Sequence, residues 1–340
     1  MAAEPETPED DDPKTGGPDS PTDLSKRSWF QVLKRTLKEF NNDNLSDWAA
    51  ALTYYGVLSI FPGILVLLSV SGLLLTGTTQ SAVLTNVQQL FPGSIAGPMT
   101  SAIDELKKGS HVAGLFAAVG LLGAVWTASG YVGAFIRAAN AIYDVPEGRP
   151  IWKVLPIRLG VTVAVGTLIA LAALSVVFTG RFAEQAGGWV GLSKESVQVF
   201  DIAKWPALLL VVLLILAILY WASPNARHHG FRWITPGGAL AVVIWLIASG
   251  GFAIYVSNFG SYNKTYGTLG GIIAFLVWLY ISNLAILLGA EFDAELERER
   301  AIEAGLKPEE EPYVPLRDDR HIKPDATEGL SGTVEHRSMS

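Results

Sequence analysis

Residues 257–291 read SNFGSYNKTYGTLGGIIAFLVWLYISNLAILLGAE, and this stretch decides the fold. A polar turn rich in Gly and Tyr leads into about 23 residues without a charge, and the run ends at Glu291. About 20 consecutive apolar residues are enough for a helix to cross a bilayer, and a soluble domain of ordinary shape needs no such element. The stretch therefore predicts an integral membrane protein.

The composition of the 340-residue chain agrees with this prediction. Half of the residues are hydrophobic and 17% are charged, against about 25% charged in soluble domains. Cysteine is absent, which excludes disulfides, thiolate metal sites and thiol nucleophiles. The first apolar run begins near residue 49, behind an acidic segment, and is too long for the core of a cleavable signal peptide. We expect it to remain as the first span.

The sequence before the first apolar run has two parts. Residues 1–25 are rich in Pro, Asp and Glu, which predicts a disordered acidic tail. Residues 28–40 place apolar side chains at helical spacing with basic ones opposite, which predicts an amphipathic helix. Two placements are open: on a membrane surface, with anionic headgroups bound at 26–38, or packed on the cytoplasmic end of a bundle. The apolar residues are Phe30, Leu33, Leu37 and Phe40.

The remaining apolar runs predict an all-α fold, a polytopic bundle of six transmembrane helices in one domain over 26–300. The sixth helix is expected to continue from Glu291 into the charged sequence EFDAELERERAIEAG. Residues 301–340 are polar and predict a disordered C-terminal tail. The six predicted spans are about 49–75, 112–136, 157–179, 205–222, 237–257 and 268–290.

Basic residues in the short connections predict the orientation, because Lys and Arg are retained on the cytoplasmic side. One side carries 11 Lys and Arg, the other 6. The basic side includes both chain ends, so the prediction is a bacterial cytoplasmic membrane protein with both termini inside. The 11 are Lys26, Arg27, Lys34, Arg35, Lys38, Arg137, Arg149, Lys153, Arg158, Arg227 and Arg232.

Small residues recur four apart in the second span, which predicts its place in the bundle. Gly120, Ala124 and Ala128 form one such row, and Gly130 begins a second. Small side chains let helix backbones approach closely in lipid. We expect this helix to lie in the middle of the bundle, with a glycine-hinged moving helix as the functional alternative.

Soluble-type catalysis has no support in the sequence. There is no GxxxxGK[ST] phosphate loop and no HExxH motif, and the adjacent His228 and His229 cannot share a helix face as metal ligands. Arg158 lies at the edge of the third run and is counted with the connection before it; apart from Arg158, the six apolar runs carry no Asp, Glu, Lys, Arg or His. This argues against a carboxylate-driven proton antiporter. We expect no enzyme activity, no metal, no cofactor and no nucleic-acid partner; the bilayer is the expected partner, and protein partners are unknown.

Three sets of polar residues are candidates for function. In the spans, Tyr55, Ser59 and Asn283 either form hydrogen bonds between helices or line a wetted pathway. At the inner end of the second span, four residues form either a local latch or a site for an anionic headgroup: Arg137, Asn140, Asp144 and Glu147. The outer turn is either a tight hairpin or a substrate-recognising mouth, with Asn258, Tyr262, Asn263 and Tyr266 as its candidates.

Four blocks of sequence resemble one bacterial family. They are AAALTYYGVLSIFP at 49–62, VWTASGYVGAFIRAANAIYDVPEGRPIWK at 125–153, SPNARHHGFRWITPGGAL at 223–240, and SNFGSYNKTYGTLGG with LLGAEFDAELER within 257–298. With them, residues 28–300 are similar to the YihY/BrkB family of inner-membrane proteins, formerly labelled ribonuclease BN. The resemblance implies six helices with both ends inside, and no settled activity or catalytic residues.

Three functions are open at this point. The first is a transporter-like or flippase-like bundle for a small or amphiphilic substrate. The second is a non-transporting membrane scaffold or envelope-assembly factor. The third, a membrane-bound ribonuclease, is the least supported, because such an enzyme needs metal-binding carboxylates or a positioned His and a basic groove.

Overall fold

The computed structural model describes residues 24–74, 111–177, 194–227, 234–258 and 268–322. Over these residues the chain forms seven α-helices and no strand beyond a single bridge between Ala226 and Leu316. The helices are α1 Lys26–Asn42, α2 Leu45–Leu74, α3 His111–Ile142, α4 Ile151–Val177, α5 Lys194–Ala222, α6 Pro236–Asn258 and α7 Thr268–Glu303. The all-α prediction is confirmed, and each predicted helix has a counterpart.

Local chemistry explains several helix ends. The Ser25 side chain accepts a hydrogen bond of 3.1 Å from the Ser28 N–H and caps the start of α1. Asn44 and Asp144 have φ of 53° and 49°, in the left-handed region that short polar side chains tolerate. They mark the turn between α1 and α2 and the end of α3. Pro236 opens α6, where its missing N–H costs nothing.

Four described helices have the length and hydropathy of membrane spans: Ile151–Ala173, Ile202–Ala222, Pro236–Ser257 and Gly270–Glu303. Most residues of these segments lie on the surface of the chain, and large apolar side chains such as Ile247 and Ile254 are exposed. An exposed apolar surface of that extent is typical of a protein that lies in a membrane. Six spans and the cytoplasmic placement of both termini remain predictions.

The helices from α2 to α7 form a closed ring. Each contacts the next along the chain, and α7 returns to contact α2. α3 also reaches α5 and α7 across the ring, which agrees with the predicted central place of the second span. α3 and α5 end, and α4 and α6 begin, at the same end of the bundle, where α1 and the last turns of α7 also lie. We call this the charged end.

Helix α1 packs against α7 at the charged end, so the structure supports the packed alternative for this helix. Its buried face carries Ser28, Val32 and Thr36. Its other face leaves Phe30, Leu33 and Leu37 exposed, by 68%, 47% and 64%. These side chains are free to insert into a bilayer surface, so the predicted contact with anionic headgroups at 26–38 stays a prediction.

The structure differs from the expected disorder of the C-terminal tail. α7 continues to Glu303, as predicted, and residues 304–322 then fold back over the ends of α3, α4 and α5. We call residues 304–322 the strap. Tyr313 in the strap is 1% exposed, and its ring stacks on Tyr143 at 6.4 Å. A few apolar anchors are enough to order a segment whose average composition is polar.

Candidate functional site

Asn283 is the polar centre of the apolar part of the bundle. It is 1% exposed, its Oδ1 accepts a 2.9 Å hydrogen bond from the Tyr131 hydroxyl, and its Nδ2 donates to Thr53 Oγ1 at 3.1 Å. One amide therefore joins α7 to both α3 and α2. These contacts support the interpretation that Asn283 forms hydrogen bonds between helices, because a buried amide in hydrocarbon must be paired.

The other predicted pathway residues are placed differently. Ser59 donates to the Tyr55 carbonyl of its own helix at 2.7 Å, and the Tyr55 ring lies against Gly130 of α3. Neither residue contacts Asn283 directly among the hydrogen bonds of the described residues. Asn258 ends α6, while Tyr262, Asn263 and Tyr266 lie outside the described residues, so the predicted outer mouth stays a prediction.

The predicted latch at the end of α3 is present in part. Asn140 Nδ2 donates to Glu147 at 3.0 Å, and Glu147 also pairs with Arg149 at 2.7 Å. Asp144 instead turns toward Arg298 of α7, at 3.8 Å. Arg137 is exposed, and no ion pair or hydrogen bond within the described ranges joins it to the other three. Sequence spacing identified the right region but not the partners.

The strap completes this latch. Asn140 Oδ1 accepts from the Asn225 N–H at 2.7 Å, and the Asn225 side chain donates to the carbonyls of Pro146 and Asp318 at 3.0 and 2.8 Å. Asp318 also pairs with Lys153 of α4 at 2.7 Å. Asn225 is fully buried, so its amide locks the α3 end, the α5 end and the strap together.

A second polar cluster lies between α1 and the end of α7, and sequence reasoning missed it. Arg35 pairs with Glu295 and, at 2.6 Å, with Glu299. Arg298 pairs with Glu311 of the strap at 2.9 Å and lies 5.0 Å from the centre of the Tyr313 ring. Most of these groups are buried. The charged repeat EFDAELERER predicted a helix, but nothing in it showed which charges would be covered.

Two carboxyl groups meet inside this cluster. The carboxyl group of Asp43, in the turn between α1 and α2, lies next to that of Glu291, the first charged residue after the apolar stretch of α7. Two neighbouring carboxylates repel each other, which favours a proton on one of the two. Glu291 is 1% exposed, and its Oε2 has no hydrogen-bond partner among the described residues. We call Asp43 and Glu291 the carboxyl pair.

More acidic than basic side chains surround the carboxyl pair. Burial raises the pKa of Asp43 to about 6, and the negative charges of Glu39 and Glu295 act in the same direction. Burial, with the charges of Glu311 and Asp43, raises the pKa of Asp144 to about 7. Arg298 opposes the second shift, but at 3.8 Å its attraction is weaker than the cost of desolvation. Asp43 and Asp144 therefore bind protons close to neutral pH.

Stability should depend on the Asp144 proton. Because the pKa rises from 3.8 to about 7 on folding, the native state keeps a proton that the unfolded chain releases between these values. We expect the stability of the natural protein, relative to Asp144→Asn, to fall by about 1–2 kcal/mol as pH rises from 5 to 8. This is less than the full ~1.4 kcal/mol per pKa unit, because the side chain is 32% exposed.

The measurement is the unfolding midpoint in detergent at several pH values. Asp47→Asn, an exposed aspartate in the first turn of α2, is the control and should run parallel to the natural protein. Parallel curves for the natural protein and Asp144→Asn would contradict the assignment.

No group of three or more His, Asp and Glu within the described ranges has the arrangement of a metal site. His228 and His229 lie outside those ranges.

The sequence pattern of the family described as virulence factor BrkB matches residues 36–314, which covers α2 to α7 and most of the strap. The chain belongs to the virulence factor BrkB family. This confirms the resemblance stated from the four sequence blocks. Proteins similar to this chain are described mainly as membrane proteins, in agreement with the apolar helices.

The BrkB-family relatives differ in length. The ribonuclease-like protein YfkH of Bacillus subtilis is 32% identical over 284 residues, which are 84% of this chain and all of that protein. A UPF0761 membrane protein of Chromohalobacter salexigens is 29% identical, over 82% of this chain and 67% of the relative. UPF0761 membrane protein RSc1559 of Ralstonia nicotianae is also 29% identical, and the match spans 60% of it. No solved structure matches the chain.

Proposed function

We propose that this BrkB-family protein is a flippase-like transporter of an amphiphilic substrate, with the carboxyl pair as its ionisable centre. The observation that carries the proposal is the buried Glu291, one oxygen of which has no hydrogen-bond partner in the described part of the chain. Burying an acid costs several kcal/mol unless it is fully paired. Buried ionisable groups with unmet bonding are typical of sites that bind protons or substrates.

The position of the carboxyl pair answers the main objection from the sequence. The apolar runs hold no acidic residue, which argued against proton-coupled transport. Glu291 lies one residue beyond the sixth predicted span, and Asp43 comes from the turn between α1 and α2. A proton at the pair can therefore alter the contact between these helices without any carboxyl in the hydrocarbon core.

The filled centre of the bundle favours an amphiphile over a water-soluble solute. Asn283 uses both ends of its amide to join helices, and Tyr220 donates to the Ile286 carbonyl at 2.6 Å. Polar groups committed to such bonds do not solvate a passing solute. An amphiphile can move along the lipid-facing side of the helices with its tail in the bilayer.

The test is lipid movement in vesicles that contain only the purified full chain. Labelled phosphatidylglycerol, phosphatidylethanolamine and a polyisoprenyl phosphate are each placed in both leaflets, and an impermeant quencher reports the fraction that reaches the outer leaflet. We expect the natural protein to expose the inner-leaflet label of at least one probe. Glu291→Gln should slow this about tenfold, the effect of ~1.4 kcal/mol on a barrier.

Glu309→Gln is the matched control, because Glu309 lies exposed in the strap. Movement of none of the three probes would contradict the transporter. Equal rates for Glu291→Gln and the natural protein would contradict the role of the carboxyl pair.

A scaffold is the second candidate, favoured by the outward apolar row of α1. Phe30, Leu33 and Leu37 face away from the bundle beside the basic Lys34. Such a row can hold a partner helix as well as a membrane surface. Crosslinking from Leu33 in cells distinguishes the two functions, because a stoichiometric protein partner supports the scaffold and lipid adducts alone do not.

We propose no catalytic activity. A relative carries a ribonuclease-like description, but the described ranges show no metal-type cluster. Ribonuclease activity that survives changing His228 and His229 to Ala together with Glu291→Gln would point to a contaminant. We also propose that the charged end faces the cytoplasm, which the accessibility of a terminal tag in intact cells would test.

A further inference from the structure

Arg158 lies inside α4, in the apolar segment Ile151–Ala173 that has the length and hydropathy of a membrane span. The sequence pattern predicts it in the connection before this helix. It follows Ile151 by seven residues, which is about 10 Å along the helix axis. A positive charge at this depth is costly unless a partner or a ligand compensates it.

The side chain of Arg158 is held in place by α3. Its Nε donates to the carbonyl and the hydroxyl of Ser129 at 2.7 and 2.9 Å, and its guanidinium lies 5.7 Å from the centre of the Trp126 ring. Gly133 makes room for it, because a Cβ there would lie 3.2 Å from Nε. The guanidinium is therefore positioned before any ligand binds.

Two donor groups of this fixed guanidinium have no acceptor among the described residues. Within the described part of the chain, its hydrogen bonds all leave from Nε, and neither terminal amino group donates to the protein. No described carboxylate forms an ion pair with it. The positive charge of Arg137 acts on it and repels it. An anion at this position would relieve the repulsion and use the free donors.

We propose that Arg158, with Trp126 and Arg137, binds the phosphate of a phospholipid headgroup at the junction of α3 and α4. Two parallel N–H groups of a guanidinium match two phosphate oxygens, whereas an ammonium offers a single point charge. Trp126 is 57% exposed, so the site opens to the side of the bundle rather than to its interior.

The surroundings favour a lipid phosphate over a dissolved one. Leu122 on α3 and Val163 on α4 are 70% and 52% exposed, and both lie deeper in the apolar segments than Arg158. A phosphate that reaches Arg158 thus has apolar surface on one side, where acyl chains fit and water does not. The interpretation of this lipid as a transported substrate rests on the proposed function. The binding of the lipid phosphate to Arg158 does not depend on it.

The test compares lipid retention by the purified full chain in detergent, read by native mass spectrometry. The probes are phosphatidylglycerol, diacylglycerol without phosphate, and inorganic phosphate. We expect retention of phosphatidylglycerol and not of diacylglycerol, and a fall of about tenfold in Arg158→Gln, because hydrogen bonds to charged groups are the strong ones. Arg158→Lys should recover less than half of the loss.

Lys153→Gln is the matched control, since it removes the same charge from the same helix and leaves Asp318 paired with Arg320 at 2.8 Å. If Arg158→Gln does not fold, Gly133→Ala tests the same site, because the added methyl would lie 3.2 Å from Nε, must shift the guanidinium and should lower retention. Equal retention in Arg158→Gln and Lys153→Gln would overturn the proposal. Displacement of phosphatidylglycerol by millimolar inorganic phosphate would overturn the lipid assignment.

Failure of this proposal and of the transporter can be told apart. If retention depends on Arg158 but no lipid moves in vesicles, the binding site is supported and the transport function is contradicted. Lipid movement that is unchanged in Arg158→Gln is compatible with the transporter and excludes only a substrate role for this site.

Discussion

Replacing Gly289 with valine should destabilise the protein more than any exposed substitution. Gly289 of α7 faces Gly237 of α6, and a Cβ on Gly289 would collide with the Gly237 carbonyl, with Tyr220 Oη at 2.6 Å and with Ala241 Cβ at 2.7 Å. Inserting carbon atoms into a filled contact typically costs about 1–3 kcal/mol, and here two backbones must separate. We expect a loss of about 3 kcal/mol or more, measured as the unfolding midpoint in detergent.

Gly271→Val is the control for this prediction. Gly271 belongs to the same helix, and a Cβ there would meet nothing within 4 Å. Its replacement should therefore change stability little. Gly237→Val should resemble Gly289→Val. It places a side chain in the same helix contact and disturbs the 2.7 Å hydrogen bond from the Gly237 N–H to Asp293. A Gly289→Val protein as stable as Gly271→Val would show that the two helices do not approach in this way.

Replacing Arg298 with methionine should be the second severe change. Arg298 is 8% exposed and lies among Glu295 at 3.7 Å, Asp144 at 3.8 Å and Glu311 at 2.9 Å. Removing one side of a buried ion pair typically costs about 3–5 kcal/mol, because the remaining charges are left without compensation. We expect a loss in this range at pH 8, and a smaller loss at pH 5, where the carboxyls take up protons.

An exposed pair provides the comparison for Arg298→Met. Lys38 and Glu39 are 3.5 Å apart and Lys38 is well exposed, so Lys38→Met should cost less than about 1 kcal/mol. Adding Asp144→Asn to Arg298→Met should recover part of the loss, since it removes one of the uncompensated charges. If Arg298→Met unfolds at the same temperature as Lys38→Met, the cluster does not stabilise the end of the bundle.

The two proposals assign separate tasks to the charged end. The carboxyl pair binds a proton between the α1–α2 turn and α7. The Arg158 site presents donors to the lipid at the junction of α3 and α4. α3 contacts both α2 and α7, so a change at the carboxyl pair has a direct packing route to the lipid site.

The sequence predicted the helices well for a simple reason. In lipid a backbone must form all of its hydrogen bonds within the segment, so a long apolar run leaves a helix as the main option. The predicted run 237–257 corresponds to the observed helix Pro236–Asn258. The continuation of α7 to Glu303 was also predictable, because helix formers follow Glu291 without Gly or Pro until Gly305.

The partners of charged residues were much harder to predict. The sequence pattern predicts Arg158 in a connection, because sequence alone does not show that α4 begins at Ile151 and carries the arginine into the bundle. Asp43 and Glu291 are separated by most of the chain, and only the packing of α1 and α2 on α7 joins them. The strap was predicted as disordered on composition, although the buried Tyr313 and Asn225 order it.

By itself, the sequence determined that this protein lies in a membrane, that it is helical, and which family it belongs to. Those properties depend on local composition: long uncharged runs, breaks between them, and four recognisable blocks. Only the tertiary structure decided which charges are buried together and which stay exposed, because that depends on distances between helices far apart in the chain. The proximity of Asp43 to Glu291 is of this second kind, and so are the donors of Arg158 that no described residue uses.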